Sequence, residues 1–291
     1  MPKALGFVLR ELFYTLLLIL GVTALMYMLF NLMPGTFLGK GSGLKGYVDL
    51  IKRLLTLKFG VSPVTGIDIR SLVFPAFKNT VILTVGSLFI SVIISVPIGI
   101  FSAFRGFKSY SWPFVVLSYI LSSIPVFYFG YFVIYIFSRH YGYLPIYRPF
   151  VEVQRNPFIT YVIPIFVLGL SNDSVSEIVR LVTNELNRVM GTDYVVASKA
   201  RGENVLVGAM YEGILIPLIS IVFSKVPYII GGAVIVEYVF NWPGMGRLAF
   251  QSTLQRDLPV LLVIAFLSIL IVRAGMIIKD ILLYYISPKE V

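Results

Sequence analysis

Phe13 to Leu32 runs for 20 residues without a charged side chain. About 20 helical residues cross a hydrocarbon layer about 30 Å thick. Equally clean runs follow at Val81 to Phe101 and Pro113 to Phe137, and Leu258 to Ile278 is interrupted only by Arg273. Backbone amides and carbonyls in lipid must find partners within the protein, so runs of this kind fold as helices. Two further runs are less regular. Asn156 to Asn172 is short and carries Pro164. It is completed by Asp173 to Ile178, whose serines and acids need water or a bundle interior. Gly213 to Val236 contains Pro217, Lys225, Pro227 and Gly231-Gly232. The expectation is an all-α polytopic membrane protein with six transmembrane helices.

Composition narrows the chemistry. Only 13% of residues are charged and 58% are hydrophobic, against about 25% charged in soluble domains. The net charge of +10 then fits anionic lipid headgroups and partner subunits better than nucleic acid. There is no cysteine and one histidine, His140. Thiolate metal sites and cysteine nucleophiles are excluded, and histidine-based acid–base catalysis has almost no material. An intramembrane enzyme is therefore a remote reading. No G-x-x-x-x-G-K-[ST] phosphate loop is present, so the chain is not expected to hydrolyse ATP itself. A cleavable signal is not expected either, because the first apolar run is too long and lacks a small-residue cleavage site.

Residues 36–80 are mixed in character. Gly41 to Gly46 is rich in Gly and Ser, and Tyr47 to Leu57 is a basic amphipathic helix expected to lie in the membrane interface. Leu57 to Pro63 reads as a turn. Asn79-Thr80 is expected to cap the second span. The division expected is residues 1–80, the first span and external segment, and residues 81–291, the core. In the third span Pro125 removes a backbone hydrogen bond and should kink the helix. Lys225 either faces the bundle interior or snorkels to an interface.

Between spans four and five lies GTDYVVASKARGENVLVGAMYEGILIP, Gly191 to Pro217. A polar segment there must sit in water. Thr192 or Asp193 can cap a short helix, and Gly202 can end it in the left-handed conformation. Tyr194, Val195, Ala197 and Ala200 give it a small apolar face. On these residues alone, an ordinary solvated helix and a docking helix are equally good readings.

The pattern D-Y-V-x-x-A/S-K-A-R-G followed by I-P resembles the EAA-type loop of ABC importer permeases, in the variant of the dipeptide/oligopeptide/nickel family. A second ordered match is Glu237-Tyr238-Val239-Phe240-Asn241-Trp242-Pro243-Gly244-Met245-Gly246, then Arg256-Asp257-Leu258-Pro259. The resemblance covers nearly the whole chain. Ser198-Lys199 replaces the usual Ala-Arg, and the segment after Gly202 is about three residues shorter than the common pattern.

The resemblance implies the type I ABC importer permease fold, with a cytoplasmic coupling loop at about residues 191–212. It implies that Asp193, Tyr194, Ala197, Ala200, Arg201 and Gly202 contact an ATPase subunit. Ser123, Lys225, Glu237 and Phe240 are candidate pathway or gate residues. The implied partners are a second permease, two ATPase subunits that hold ATP and Mg, and an extracytoplasmic solute-binding protein. No cofactor or metal is expected in this chain. Both termini are expected in the cytoplasm of a multi-pass cell-membrane protein. Charge does not settle that orientation, since it leaves ten Lys/Arg inside and twelve outside. The competing class is an ion-coupled secondary transporter, which would need carboxylates within its spans. For the solute, peptide or oligosaccharide is expected ahead of nickel, because metal ligands are scarce.

Overall fold

A computed structural model describes residues 2–32, 43–103, 108–147, 157–171, 174–202 and 215–286. Apart from one isolated bridge between Val61 and Asp68, the regular structure there is helical. The helices are α1 (Pro2–Leu32), α2 (Leu44–Leu55), α3 (Ile69–Ala103), α4 (Lys108–Ser123), α5 (Val126–Tyr141) and α6 (Pro157–Leu170). They continue as α7 (Ser174–Met190), α8 (Asp193–Ala200), α9 (Leu215–Ser224), α10 (Val226–Val239), α11 (Met245–Leu254) and α12 (Leu258–Ile286). Three stretches are long and apolar enough to cross a membrane unbroken, Arg10–Phe30, Ile69–Ala103 and Leu258–Ile286. The pairs α4–α5, α6–α7 and α9–α10 pass the same length and composition test together, each bent by more than 40°, so the described residues hold up to six spans if each pair is one. The chain gathers into two compact units.

The first unit holds residues 1–81 and 243–277. Its core joins Ile19 of α1, Leu54 of α2, Ile69 and Val73 of α3, and Val260, Val263 and Phe266 of α12. Helix α2 divides its apolar residues between protein and surface: Leu50, Ile51 and Leu54 pack on this core, while Val48 and Leu55 stay exposed. The Tyr47 hydroxyl also donates to the Leu20 carbonyl of α1 at 2.9 Å.

One expectation is corrected, that for Asn79-Thr80. Neither residue caps a helix, because α3 already begins at Ile69. Both instead serve the Pro-Gly turn before α11. The Asn79 side-chain amide donates to the Pro243 carbonyl at 2.9 Å, and the Thr80 hydroxyl accepts the Met245 amide at 2.8 Å. The turn at residues 57–63 is a turn as expected, and it is tied down. The buried Ser62 hydroxyl donates to the Asp257 carboxylate and accepts the Thr65 amide at 3.0 Å. Arg273, the charge within the sixth span, is met by Glu11 of α1, and its Nε donates to the Thr15 hydroxyl at 2.9 Å.

The second unit holds residues 82–242 and 278–291. Its scaffold is the remainder of α3, whose Ser87, Ser91 and Ser95 are all buried. Each serine donates to the carbonyl four residues back, and Ser87 and Ser91 also reach the Ile165 and Gly169 carbonyls of α6. Hydroxyls bonded in this way are small enough to let two helices approach closely. A Cβ on Gly169 would lie 2.8 Å from the Ser87 carbonyl oxygen.

The third span is not merely kinked. At Ile124-Pro125 the chain turns by 105° between α4 and α5. Proline both lacks an amide donor and excludes the helical conformation from the residue before it. Helix α5 ends at Gly142, whose φ of 58° is the left-handed stop. The irregular stretch after it is strapped to the end of α10. The Tyr147 amide donates to the Phe240 carbonyl at 3.0 Å, and the Asn241 side chain donates to the Tyr147 carbonyl at 2.7 Å.

Candidate functional site

Helix α7 exists because its sequence is strongly two-sided. Ile178, Val182 and Leu186 recur at helical spacing, all fully buried, while Arg180, Asn184, Asn187 and Arg188 are exposed. The buried row packs on Val92, Val96 and Ile100 of α3 and on Leu218 and Ile221 of α9. Two residues after α7 ends, α8 begins. The Thr192 hydroxyl does not cap α8 but turns back and donates to the Val189 carbonyl at 2.7 Å. Val195 is fully buried against Val189 and Met190, which pins α8 to the end of α7.

With Val195 turned inward, the opposite face of α8 is open. Asp193, Ala197 and Ala200 stand at i, i+4 and i+7, so they lie on one side of the helix, and all three are exposed. Arg201 and Gly202 follow, also exposed. Gly202 has φ +72°, and a Cβ there would meet nothing within 4 Å. It therefore ends the helix in the left-handed conformation expected of it. Five of the six residues assigned to ATPase contact thus form one exposed patch of small and charged groups. Tyr194 belongs to the same helix. The remainder of the loop expected at 191–212, from Glu203 onward, lies outside the described residues.

The candidate pathway residues do not come together. Ser123 is exposed at the end of α4, its hydroxyl donating to the Tyr119 carbonyl at 2.8 Å. Lys225 is buried at the junction of α9 and α10, where the chain bends by 42°. Of its two sequence readings, the inward one holds. Its ammonium pairs with Glu177 of α7 and lies 5.4 Å from the Tyr228 ring centre. A cation in a span is tolerated when matched in this way.

Glu237 and Phe240 are fully buried in the last turn of α10 and just beyond it. Phe240 is part of a core with Leu83, Val126, Ile163, Val236 and Trp242. Trp242 stands edge-on to Tyr161 with ring centres 5.0 Å apart. Its backbone amide donates to the Glu237 carbonyl at 2.8 Å, which closes the turn. A Cβ on Gly130 would lie 3.2 Å from the Phe240 ring, so glycine is what lets α5 approach. The E-x-x-F-x-W-P motif thus closes α10 and anchors it.

Two contacts of the site were not readable as pairs in the sequence. Glu177 and Lys225 are 48 positions apart, and Ser62 and Asp257 are 195 apart. A lone lysine in a span signals that a partner exists but not which acid it is. Among the described residues, no three His, Cys, Asp or Glu side chains gather as a metal site.

Comparison with known proteins follows the same outline. Residues 95–290 match the family model described as binding-protein-dependent transport system inner membrane component. The chain is 29% identical to the oligopeptide transport system permease protein AppB of Bacillus subtilis, covering 98% of each. It is 25% identical to the dipeptide transport system permease protein DppB of Alkalihalophilus pseudofirmus, covering 98% of this chain and 99% of that one. It is 26% identical to the metal-staphylopine import system permease protein CntB of Staphylococcus aureus, covering 74% of this chain and 67% of that one.

Proposed function

This chain belongs to the family of binding-protein-dependent transport system inner membrane components, and from that premise we propose that it imports a short peptide as one half of an ATP-driven membrane channel. It is a multi-pass permease subunit. The second half of the channel is a related permease, and two ATPase subunits on the cytoplasmic side carry ATP and Mg. A solute-binding protein delivers the peptide from outside. Both termini and α8 face the cytoplasm.

The observation that carries the coupling reading is the open face of α8. Asp193, Ala197, Ala200, Arg201 and Gly202 are exposed on a helix whose other side is pinned to α7 by Val195. Small side chains let a partner approach the backbone, and the charged ends set its register. Nucleotide binding that closes two ATPases moves this helix, and the membrane helices switch between outward and inward access as bodies. Ser123, exposed beside the α4–α5 break, is the wall residue of the pathway. Lys225, Glu237 and Phe240 are buried and act on the pathway through the position of the fifth span, which they hold from inside.

Peptide is favoured as solute because AppB and DppB are named for oligopeptide and dipeptide transport and align over nearly the full length. Ion-coupled transport has less support, since the apolar runs carry almost no acids and Glu177 is paired with Lys225.

The test is the ATPase rate of the reconstituted four-subunit complex with its binding protein loaded by di- and oligopeptides. Stimulation by a loaded form supports both the importer and the solute class. An intact complex with no stimulation by any peptide, together with stimulation by an oligosaccharide or a metal chelate, would overturn the peptide assignment. Uptake abolished by a protonophore at constant ATP would overturn the ATP-driven reading.

A further inference from the structure

Helix α7 joins two things that the sequence keeps apart. At its C-terminal end it carries α8, held by Val195 against Val189 and Met190 and by the Thr192–Val189 hydrogen bond. Near its N-terminal end stands Glu177, paired with Lys225. Seventeen helical residues span about 25 Å. The buried row Ile178, Val182 and Leu186 keeps α7 against α9 along this length. A displacement of α8 is thus delivered along a stiff rod to Glu177.

Lys225 sits where such a push has most effect. It is the single residue between α9 and α10, at the 42° bend of the fifth span. Its amide is shared between the Ile221 and Val222 carbonyls, both at 3.2 Å, and its carbonyl still accepts the Ile229 amide at 2.9 Å. The chain of hydrogen bonds thus runs on past the bend, and Pro227, which has no amide hydrogen, leaves one rung out beside it, the place where the angle can change at least cost. The ammonium has two neighbours to choose between, the Glu177 carboxylate and the Tyr228 ring. An apolar contact would slide, whereas a charge pair has a defined direction and can be made or broken as a unit.

We propose that Glu177 and Lys225 are positioning residues that transmit the movement of α8 to the bend in the fifth span, so that closing of the ATPases changes the α9–α10 angle. This rests on the reading that α8 docks on an ATPase subunit. The pair stands about 20 Å along α7 from α8, the helix that docks. Its removal should leave ATP hydrolysis running while solute movement falls behind it.

The experiment uses the full reconstituted complex carrying E177Q, K225Q or the exchanged pair E177K/K225E. ATP consumed per solute imported is measured beside co-purification of the ATPase subunits. Each single variant is expected to keep its ATPase subunits and to raise ATP consumed per solute by at least about fivefold, the low end of ordinary coupling between sites. The exchanged pair should recover most of that loss.

A second measurement stands independently of whether the exchanged pair assembles. The chain has no cysteine, so spin labels at N187C on α7 and I235C on α10 report one distance. In the parent background that distance should shift on ATP binding, and with E177Q the shift should be lost. Single variants that assemble, transport at the parent ratio and keep the ATP-linked shift would overturn the proposal while leaving α8 docking intact. A parent chain that binds no ATPase subunits would overturn both.

Discussion

Ser62 and Asp257 share a buried hydrogen bond across 195 positions of sequence, the hydroxyl donating to the carboxylate. The other carboxylate oxygen faces the Val260 amide at 3.4 Å, in the first turn of α12. One acid therefore holds both the turn at residue 62 and the start of a membrane helix. Ser62→Ala should lower the unfolding free energy of the detergent-solubilised protein by about 1–3 kcal/mol, the cost of leaving a buried acceptor unmet. Thermal unfolding measures this, and an unchanged midpoint would show that water replaces the hydroxyl.

Arg273 offers a test of geometry against charge. Its Nε donates to Thr15, and one terminal nitrogen meets Glu11. Lysine keeps the charge but has no planar fork. Arg273→Lys should therefore destabilise α1 packing by more than a charge-conserving change on an exposed face does, about 1–2 kcal/mol. Arg273→Met leaves the Glu11 carboxylate only the exposed Arg10 at 3.9 Å and should cost more, about 3 kcal/mol. Protease susceptibility of the first 40 residues ranks the two. Equal resistance in parent and Arg273→Met would refute the pairing as a clamp.

Close approach of α6 to α3 predicts an asymmetric pair of glycine variants. A methyl group on Gly169 would meet the Ser87 carbonyl oxygen at 2.8 Å, whereas one on Gly21 would meet nothing within 4 Å. Gly169→Ala should cost about 1–3 kcal/mol through overpacking. Gly21→Ala should be neutral or slightly stabilising, since alanine is the better helix former. Side-by-side melting curves separate them, and a harmless Gly169→Ala would mean that the helices move apart freely.

On α8 the two faces should fail differently. Ala200→Glu lies on the exposed side and should reduce co-purification of ATPase subunits while leaving the melting midpoint unchanged. Val195→Ala deletes two buried carbons and should cost about 1–2 kcal/mol. Loss of ATPase binding in neither variant would remove α8 from the interface.

The uncharged runs were legible because lipid leaves the backbone no alternative to the helix. Gly202 was legible because few other residues adopt a positive φ without strain. Asn79-Thr80 misled for a physical reason. Residues that cap helices also satisfy other orphaned backbone groups, and here the orphans belong to a turn 164 positions away. The amphipathic pattern of α2 was legible as a helix, but an apolar stripe does not say which of its residues the protein covers: Leu54 is buried while Val48 and Leu55 are exposed. Glu177 and Lys225 were each visible as costly, but pairing is a property of the fold and not of either residue.

The break at Ile124-Pro125 also bears on how the chain is made. Residues 113–137 leave the ribosome as 25 uncharged residues, long enough to enter the bilayer as one straight crossing. In the finished protein the same residues turn through 105° and α5 rests on α6 and α10. Neither of those helices has been synthesised when α5 emerges. Exposing the turned backbone to lipid before its cover arrives would be prohibitive. Pro125 breaks the helix as soon as it is made. The cover of the turn arrives only after residue 239 has been translated, so a nascent chain arrested earlier should be broken at Ile124 without yet holding the full turn.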